Sequence, residues 1–126
     1  MLENARAQAT IPAEDLQRAV RFYRDTLGLK TLNVNDDQAA VFEAGHGSQI
    51  LIYHRSRTKA EHTAITFQDD DLEKILKDLG AKGVKPEHYD MEHLKTDARG
   101  IASMGGHQMA WITDPEGNIL GFFART

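Results

Sequence analysis

Apolar positions along this chain recur with two periods, and the alternation between them occurs twice. Leu16, Ala19, Val20, Tyr23 and Leu27 share one helix face, with Arg18, Arg21, Arg24 and Asp25 largely off it. The pattern predicts a helix opened by Glu14-Asp15, where a carboxylate suits the helix dipole, and stopped by Gly28. Leu72, Ile75, Leu76 and Leu79 repeat the stripe behind the candidate caps Asp69-Asp70-Asp71, with Gly80 as the expected stop. Around these helices the period shortens to that of strands. Residues 8–13, 29–33, 38–44 and 48–54 read as strands in the first half; 62–67, 84–89 and both arms of 110–123 do so in the second. Pro12 favours an edge or a strand end. Residues 90–105 read as a long irregular loop, freed by Gly100, Gly105 and Gly106, and loops of that length in small domains usually serve a function.

The closing hairpin turns at Asp114-Pro115-Glu116-Gly117, where Pro115 presets φ and Gly117 tolerates the exit geometry. An earlier hairpin, 41–53, turns around Gly45-His46-Gly47. Gln49-Ile50-Leu51-Ile52-Tyr53 laid over Asn118-Ile119-Leu120-Gly121-Phe122 matches almost residue for residue. The helices agree: Leu16-x-x-Ala19-Val20 corresponds to Leu72-x-x-Ile75-Leu76, and Leu27-Gly28 to Leu79-Gly80, with the second helix about one turn shorter. The chain therefore reads as one domain over 1–126 made of two β-α-β-β-β modules, 1–55 and 61–126, joined by the polar stretch 55–61.

Composition narrows the function classes. A net charge of −4 with no basic stripe argues against nucleic acid, which needs clustered cations to neutralise phosphates. The absence of cysteine rules out disulfides, thiolate nucleophiles and thiolate metal ligands. No stretch approaches the roughly 20 apolar residues of a membrane span, and the amino terminus lacks a leader pattern, so the expectation is a soluble cytoplasmic protein. Neither a Gly-x-Ser-x-Gly elbow nor a glycine-rich phosphate loop is present.

Asp15-Leu16-x-x-Ala19-x-x-Phe22-Tyr23-x-x-x-Leu27-Gly28, followed by Asp114-Pro115-Glu116-Gly117-Asn118, resembles the vicinal oxygen chelate superfamily. That group includes glyoxalase I, extradiol dioxygenases, fosfomycin-resistance proteins and bleomycin-binding proteins. The resemblance covers nearly the whole chain and implies an α+β fold: two tandem βαβββ modules forming a curved, cup-like mixed sheet, often in a homodimer. In its metal-using members, four inward positions supply His or Gln, a carboxylate, His or Gln, and a second carboxylate. Carried over by motif, these positions fall on Gln8, on Ile52 by the internal repeat, on His62 and on Gly121. Gln8 and His62 are residual ligand positions, and both carboxylates are missing. Two neutral donors leave a dication uncompensated, so no metal and no other cofactor are expected. A divalent metal enters only in an alternative where Glu43, Glu61, Asp90 or Glu92 swings in.

The candidate ligand-binding residues are Gln8, Tyr53, His62, Trp111, His93 and Lys95. Tyr53 and Trp111 offer an apolar body with one polar handle, on strands that could equally be core or dimer interface. Gln8 and His62 could serve a ligand or simply satisfy strand ends. His88, Tyr89, His93 and Lys95 could clamp an anionic or carbonyl ligand, or form a solvated loop. His46 and His107 sit at expected turns with no special role, and only one of Phe122 and Phe123 can face the cup. Three functions follow: a metal-independent small-molecule binder, a metal-dependent lyase, isomerase or dioxygenase, and an interaction module whose sheets only support a dimer.

Overall fold

The computed structural model describes residues 1–125 and comprises two compact units, Met1–Thr58 and Lys59 onward. In the first, β1 (Ala9–Ala13) leads to α1 (Leu16–Arg21), then β2 (Lys30–Asn35), β3 (Ala39–Glu43) and β4 (Gln49–His54). These strands form an open four-stranded sheet in the order β1-β4-β3-β2, with β1 parallel to β4 and the other pairs antiparallel. The second unit repeats this plan. β5 (Thr63–Gln68) precedes α2 (Leu72–Ala81), a small hairpin of β6 (Asp90–Met91) and β7 (Leu94–Lys95), then β8 (Ala102–Met104), β9 (His107–Thr113) and β10 (Ile119–Arg125). Its four-stranded sheet runs β5-β10-β9-β8, with β5 parallel to β10. Each unit is thus a βαβββ module with a mixed sheet, as the α+β reading expected.

In both modules the helix covers one sheet face. Leu16, Ala19 and Val20 of α1 are buried with Ile11, Ala13, Ala40, Phe42, Ile50 and Ile52, and the Tyr23 and Phe42 rings lie 5.9 Å apart. In module two, Leu72 and Leu79 are buried together with Leu120, Phe122, Ala110 and Ile112, and Phe67 stacks on Phe122 at 5.8 Å. Phe123 therefore takes the opposite face. Each helix opens on the aspartate its position suggested: Asp15 Oδ1 accepts from Arg18 N at 3.1 Å, and Asp71 Oδ1 from Lys74 N at 3.1 Å.

Four local expectations are corrected. The first helix is not regular to its end: Phe22–Thr26 forms a π-helical turn, with Leu27 N donating to Phe22 O at 3.0 Å, before Gly28 at φ +74° ends it. The second helix runs through Gly80 and stops at Gly83 (φ +82°). Val84 N donates to Leu79 O and Gly83 N to Gly80 O, the paired bonds that satisfy the last carbonyls of a helix. The wider span shrinks the expected one-turn difference between the helices.

Residues 84–89 pair with no strand, although Glu87 N donates to Trp111 O at 2.8 Å. The outer strand of the second sheet is β8 instead, inside the stretch expected to be irregular. Gly100 explains part of that path: at φ +90° a Cβ there would lie 2.6 Å from Pro86 Cβ, so only glycine lets the two segments approach. Finally, His107 opens β9 rather than sitting in a turn, and its ring lies 5.2 Å from that of Phe123.

Candidate ligand site

The duplicated hairpins fix which side chains share a face. In module one Glu43 pairs with Gln49 and Ala44 N donates to Ser48 O; in module two Thr113 pairs with Ile119 and Asp114 N donates to Asn118 O. The equivalent of Gln49 is therefore Ile119, not Asn118, and the alignment drawn from sequence identity is one residue out. Side chains alternate between faces, so the slip exchanges inside and outside. Ile50 and Ile52 match Leu120 and Phe122 on the helix-covered faces, whereas Leu51 matches Gly121 on the uncovered ones.

On the uncovered face of module one, the register groups Gln8, Gln49, Leu51, Tyr53, Val41 and Glu43. Gln8 precedes β1 and is exposed; its Nε2 donates to Gln49 Oε1 at 3.1 Å. Tyr53 is half-buried opposite Ala39. Glu43 stands between Gln49 on one neighbouring strand and Lys30 on the other. These placements bring two of the expected residues, Gln8 and Tyr53, onto one surface.

The uncovered face of module two holds Trp111, Gly121, Phe123, Met109 and Thr66. Trp111 is only 6% exposed, and Tyr89 meets its ring edge-on at 5.4 Å. Burial, with Glu87's charge second, raises the Tyr89 hydroxyl above its ordinary range, so the phenol stays neutral against the indole. A Cβ on Gly121 would lie 3.1 Å from Thr63 Cγ2, 3.2 Å from Thr66 Oγ1 and 3.4 Å from Trp111 Nε1. A side chain here would have to push these neighbours back by a few tenths of an ångström.

His62 is exposed and immediately precedes β5; the residue opposite Ile119 is Thr63. His93 lies in the turn of the β6–β7 hairpin, and Lys95 pairs with Asp90 across it at 3.9 Å. That hairpin forms its own two-stranded sheet. Tyr89, expected beside His93 and Lys95, instead packs on Trp111. Nothing in the sequence pattern separated it from its loop neighbours.

The residues do not fit the metal site that the resemblance suggests. Register moves the fourth-strand position from Ile52 to Leu51, and the eighth-strand position remains Gly121; neither carries an oxygen donor. Among the described residues no three His, Asp or Glu side chains gather as a metal site.

The Asp114 motif ties its own turn together. The carboxylate, 4% exposed, accepts from Glu116 N at 2.8 Å, Asn118 N at 2.9 Å and Asn118 Nδ2 at 2.9 Å. Gly117 completes the turn at φ +87°. The other hairpin turn differs: His46 holds φ 59° and ψ 33° between two glycines, and its exposed backbone borders an open hollow at Gln8.

Comparison with known proteins agrees with this architecture. A lactoylglutathione lyase from Agrobacterium tumefaciens superposes with TM-score 0.74 at 20% identity, covering 98% of this chain and 96% of that one. The fosfomycin resistance protein FosX from Listeria monocytogenes, complexed with Mn(II) and sulfate, superposes with TM-score 0.74 at 13% identity, over 98% and 91% of the two chains. A glyoxalase family protein from Enterococcus faecalis gives TM-score 0.71 at 18% identity, over 98% and 99%. No curated protein matches the sequence significantly. The family model for the Glyoxalase/Bleomycin resistance protein/Dioxygenase superfamily matches residues 6–122. With that match and the doubled βαβββ plan, the chain belongs to the Glyoxalase/Bleomycin resistance protein/Dioxygenase superfamily.

Proposed function

We propose that this protein is a small-molecule binder of the superfamily that works without a catalytic metal, as a homodimer. One observation carries the reading: the position where the family places an acid is Gly121, which has no side chain, and a Cβ there would press on Thr63, Thr66 and Trp111. Hard divalent ions need carboxylate oxygen to offset their charge, and Leu51 at the paired position supplies none. The uncovered faces offer half-buried Leu51 and Tyr53 in one module and half-buried Met109 and Phe123 in the other, with Trp111 buried beneath Tyr89. Such surfaces suit a planar aromatic ligand, which displaces water from apolar area.

The alternative is a metal-dependent lyase, isomerase or dioxygenase. Glu43 favours it, because this acid shares a face with Gln8 and Gln49. The lyase and the Mn(II)-bound FosX among the structural relatives show that the fold can serve such enzymes.

Elemental mass spectrometry of tag-free protein purified without chelator separates the two. The expected result is far less than one metal per chain, with no thermal shift on adding Mn²⁺, Ni²⁺, Zn²⁺ or Fe²⁺. About one equivalent, lost in Glu43→Gln or His62→Ala, overturns the reading in favour of the enzyme.

A further inference from the structure

The hollow at the β3–β4 turn of module one has a chemistry that the metal question does not address. It is an open depression of about 550 Å³ lined by Arg6, Gln8, His46, Ser48 and Gln49, together with Ala7 and the turn glycines. No carboxylate is among these lining residues, in a chain with 19 acidic and 15 basic side chains. The nearest acid by register, Glu43, has Lys30 as its other cross-strand neighbour.

Two features show that the hollow holds unused donors. Among the described residues Arg6 makes no ion pair or hydrogen bond, and a guanidinium presents a planar fork that matches a carboxylate. The Gln8–Gln49 bond uses one amide hydrogen of Gln8 and the carbonyl of Gln49, so the Gln49 amide group keeps its donors. The turn is also held in an unfavourable conformation. His46 sits in the left-handed region that side chains rarely adopt, and such strain persists only where surrounding structure imposes it.

The charge and the adjoining surface define the ligand class. One permanent positive charge matches a monoanion better than a phosphate dianion. From Gln49 the same face of β4 continues through Leu51 to Tyr53, about 13 Å at the usual strand rise. We propose that the hollow is an anion subsite receiving the carboxylate of an aromatic carboxylic acid, whose ring lies along β4 over Leu51 toward Tyr53. The ring's placement rests on the binding function proposed above; the head-group subsite goes beyond it.

The test uses the full-length protein labelled with ¹⁵N, titrated with 2-naphthoate and with the neutral 2-naphthamide. The expected result is saturable shifts at the amides of residues 45–49, 51 and 53, with naphthoate binding about three- to tenfold tighter. Arg6→Gln, at an exposed position before β1, should lower naphthoate affinity to that of naphthamide and leave naphthamide unchanged. Equal affinities, or an Arg6→Gln variant that binds naphthoate normally, overturn the subsite while leaving an aromatic binder. Displacement of naphthoate by equimolar inorganic phosphate overturns the carboxylate assignment. Shifts from neither ligand overturn both the subsite and the aromatic binding surface. Stoichiometric metal uptake overturns the metal-free reading in a separate measurement, while the naphthoate–naphthamide comparison and Arg6→Gln still decide the subsite.

Discussion

The two hairpin turns occupy the same place in duplicated modules and are built in opposite ways. At Asp114–Asn118 a buried carboxylate satisfies backbone and side-chain donors, and a glycine takes the left-handed position. At Ala44–Ser48 the turn is exposed, a histidine takes a left-handed position, and the bordering hollow contains an arginine with no ion pair among the described residues. The first turn is closed by buried polar groups; the second is closed by the exposed Ser48, with His46 in a left-handed conformation. One hairpin scaffold occurs twice, closed by a buried carboxylate in one copy and by an exposed serine hydroxyl in the other.

The largest expected break in this contrast comes from Asp114→Ala. It strands buried donors and should cost about 2–4 kcal/mol in urea denaturation. Ser48→Ala removes an exposed hydroxyl bonded to Gly45 O at 2.8 Å and should stay within about 0.5 kcal/mol. Equal costs would show that the two turns share one role. Gly121→Ala should follow, at about 1–3 kcal/mol, because the new methyl meets Thr63, Thr66 and Trp111. A neutral result would mean that the space above Gly121 can open, weakening the case against an acid there.

A pair of opposite substitutions sharpens the contrast further. Gly117→Ala should destabilise by about 1–2 kcal/mol, since φ +87° disfavours a Cβ. His46→Gly should instead be neutral or stabilise by up to about 1 kcal/mol, as relief of strain competes with a more flexible unfolded chain. Thermal denaturation of both variants reads the signs directly, and a destabilised His46→Gly would place the imidazole in a structural role.

The smallest effect concerns the loop before β8. Hydrogen bonds from Arg99 hold the Asp97 carboxyl below its ordinary range, and Ile101 N adds a bond at 3.1 Å. A depressed folded pKa stabilises above the unfolded carboxylate range and is lost as pH falls through the folded value. With Asp97 40% and Arg99 50% exposed, solvent screening limits this to under about 1 kcal/mol. The stability difference between the native protein and Asp97→Asn should therefore shrink as pH falls below about 4. Equal stabilities at neutral pH would assign the loop's order to Gly100 and Pro86 rather than to the carboxylate.

What was legible in the sequence follows from where information is local. Helix stripes and the caps Asp15 and Asp71 depend on residues within a few positions of one another, and they were readable. β8 was not, because three residues among glycines carry too little periodicity to announce a strand; its identity comes from pairing with β9. The choice of Gly83 over Gly80 as the stop depends on bonds formed after the helix ends. The slipped repeat alignment arose because two Ile-Leu pairs attract one another in a comparison of letters, whereas hairpin register obeys backbone hydrogen bonds. Of the candidate site, Gln8 and Tyr53 were placed on one face by the fold, while Arg6 and His46 gained interest only once the turn geometry was visible.

Every ladder in the two four-stranded sheets closes within its own half of the chain, and the halves divide between Thr58 and Lys59. A gene split at that point would sever no strand pairing. For protein engineering, this marks the junction as the place to shuffle modules between relatives or to insert a reporter. For evolution, it means that the strand pairings of each half are specified by that half's own residues.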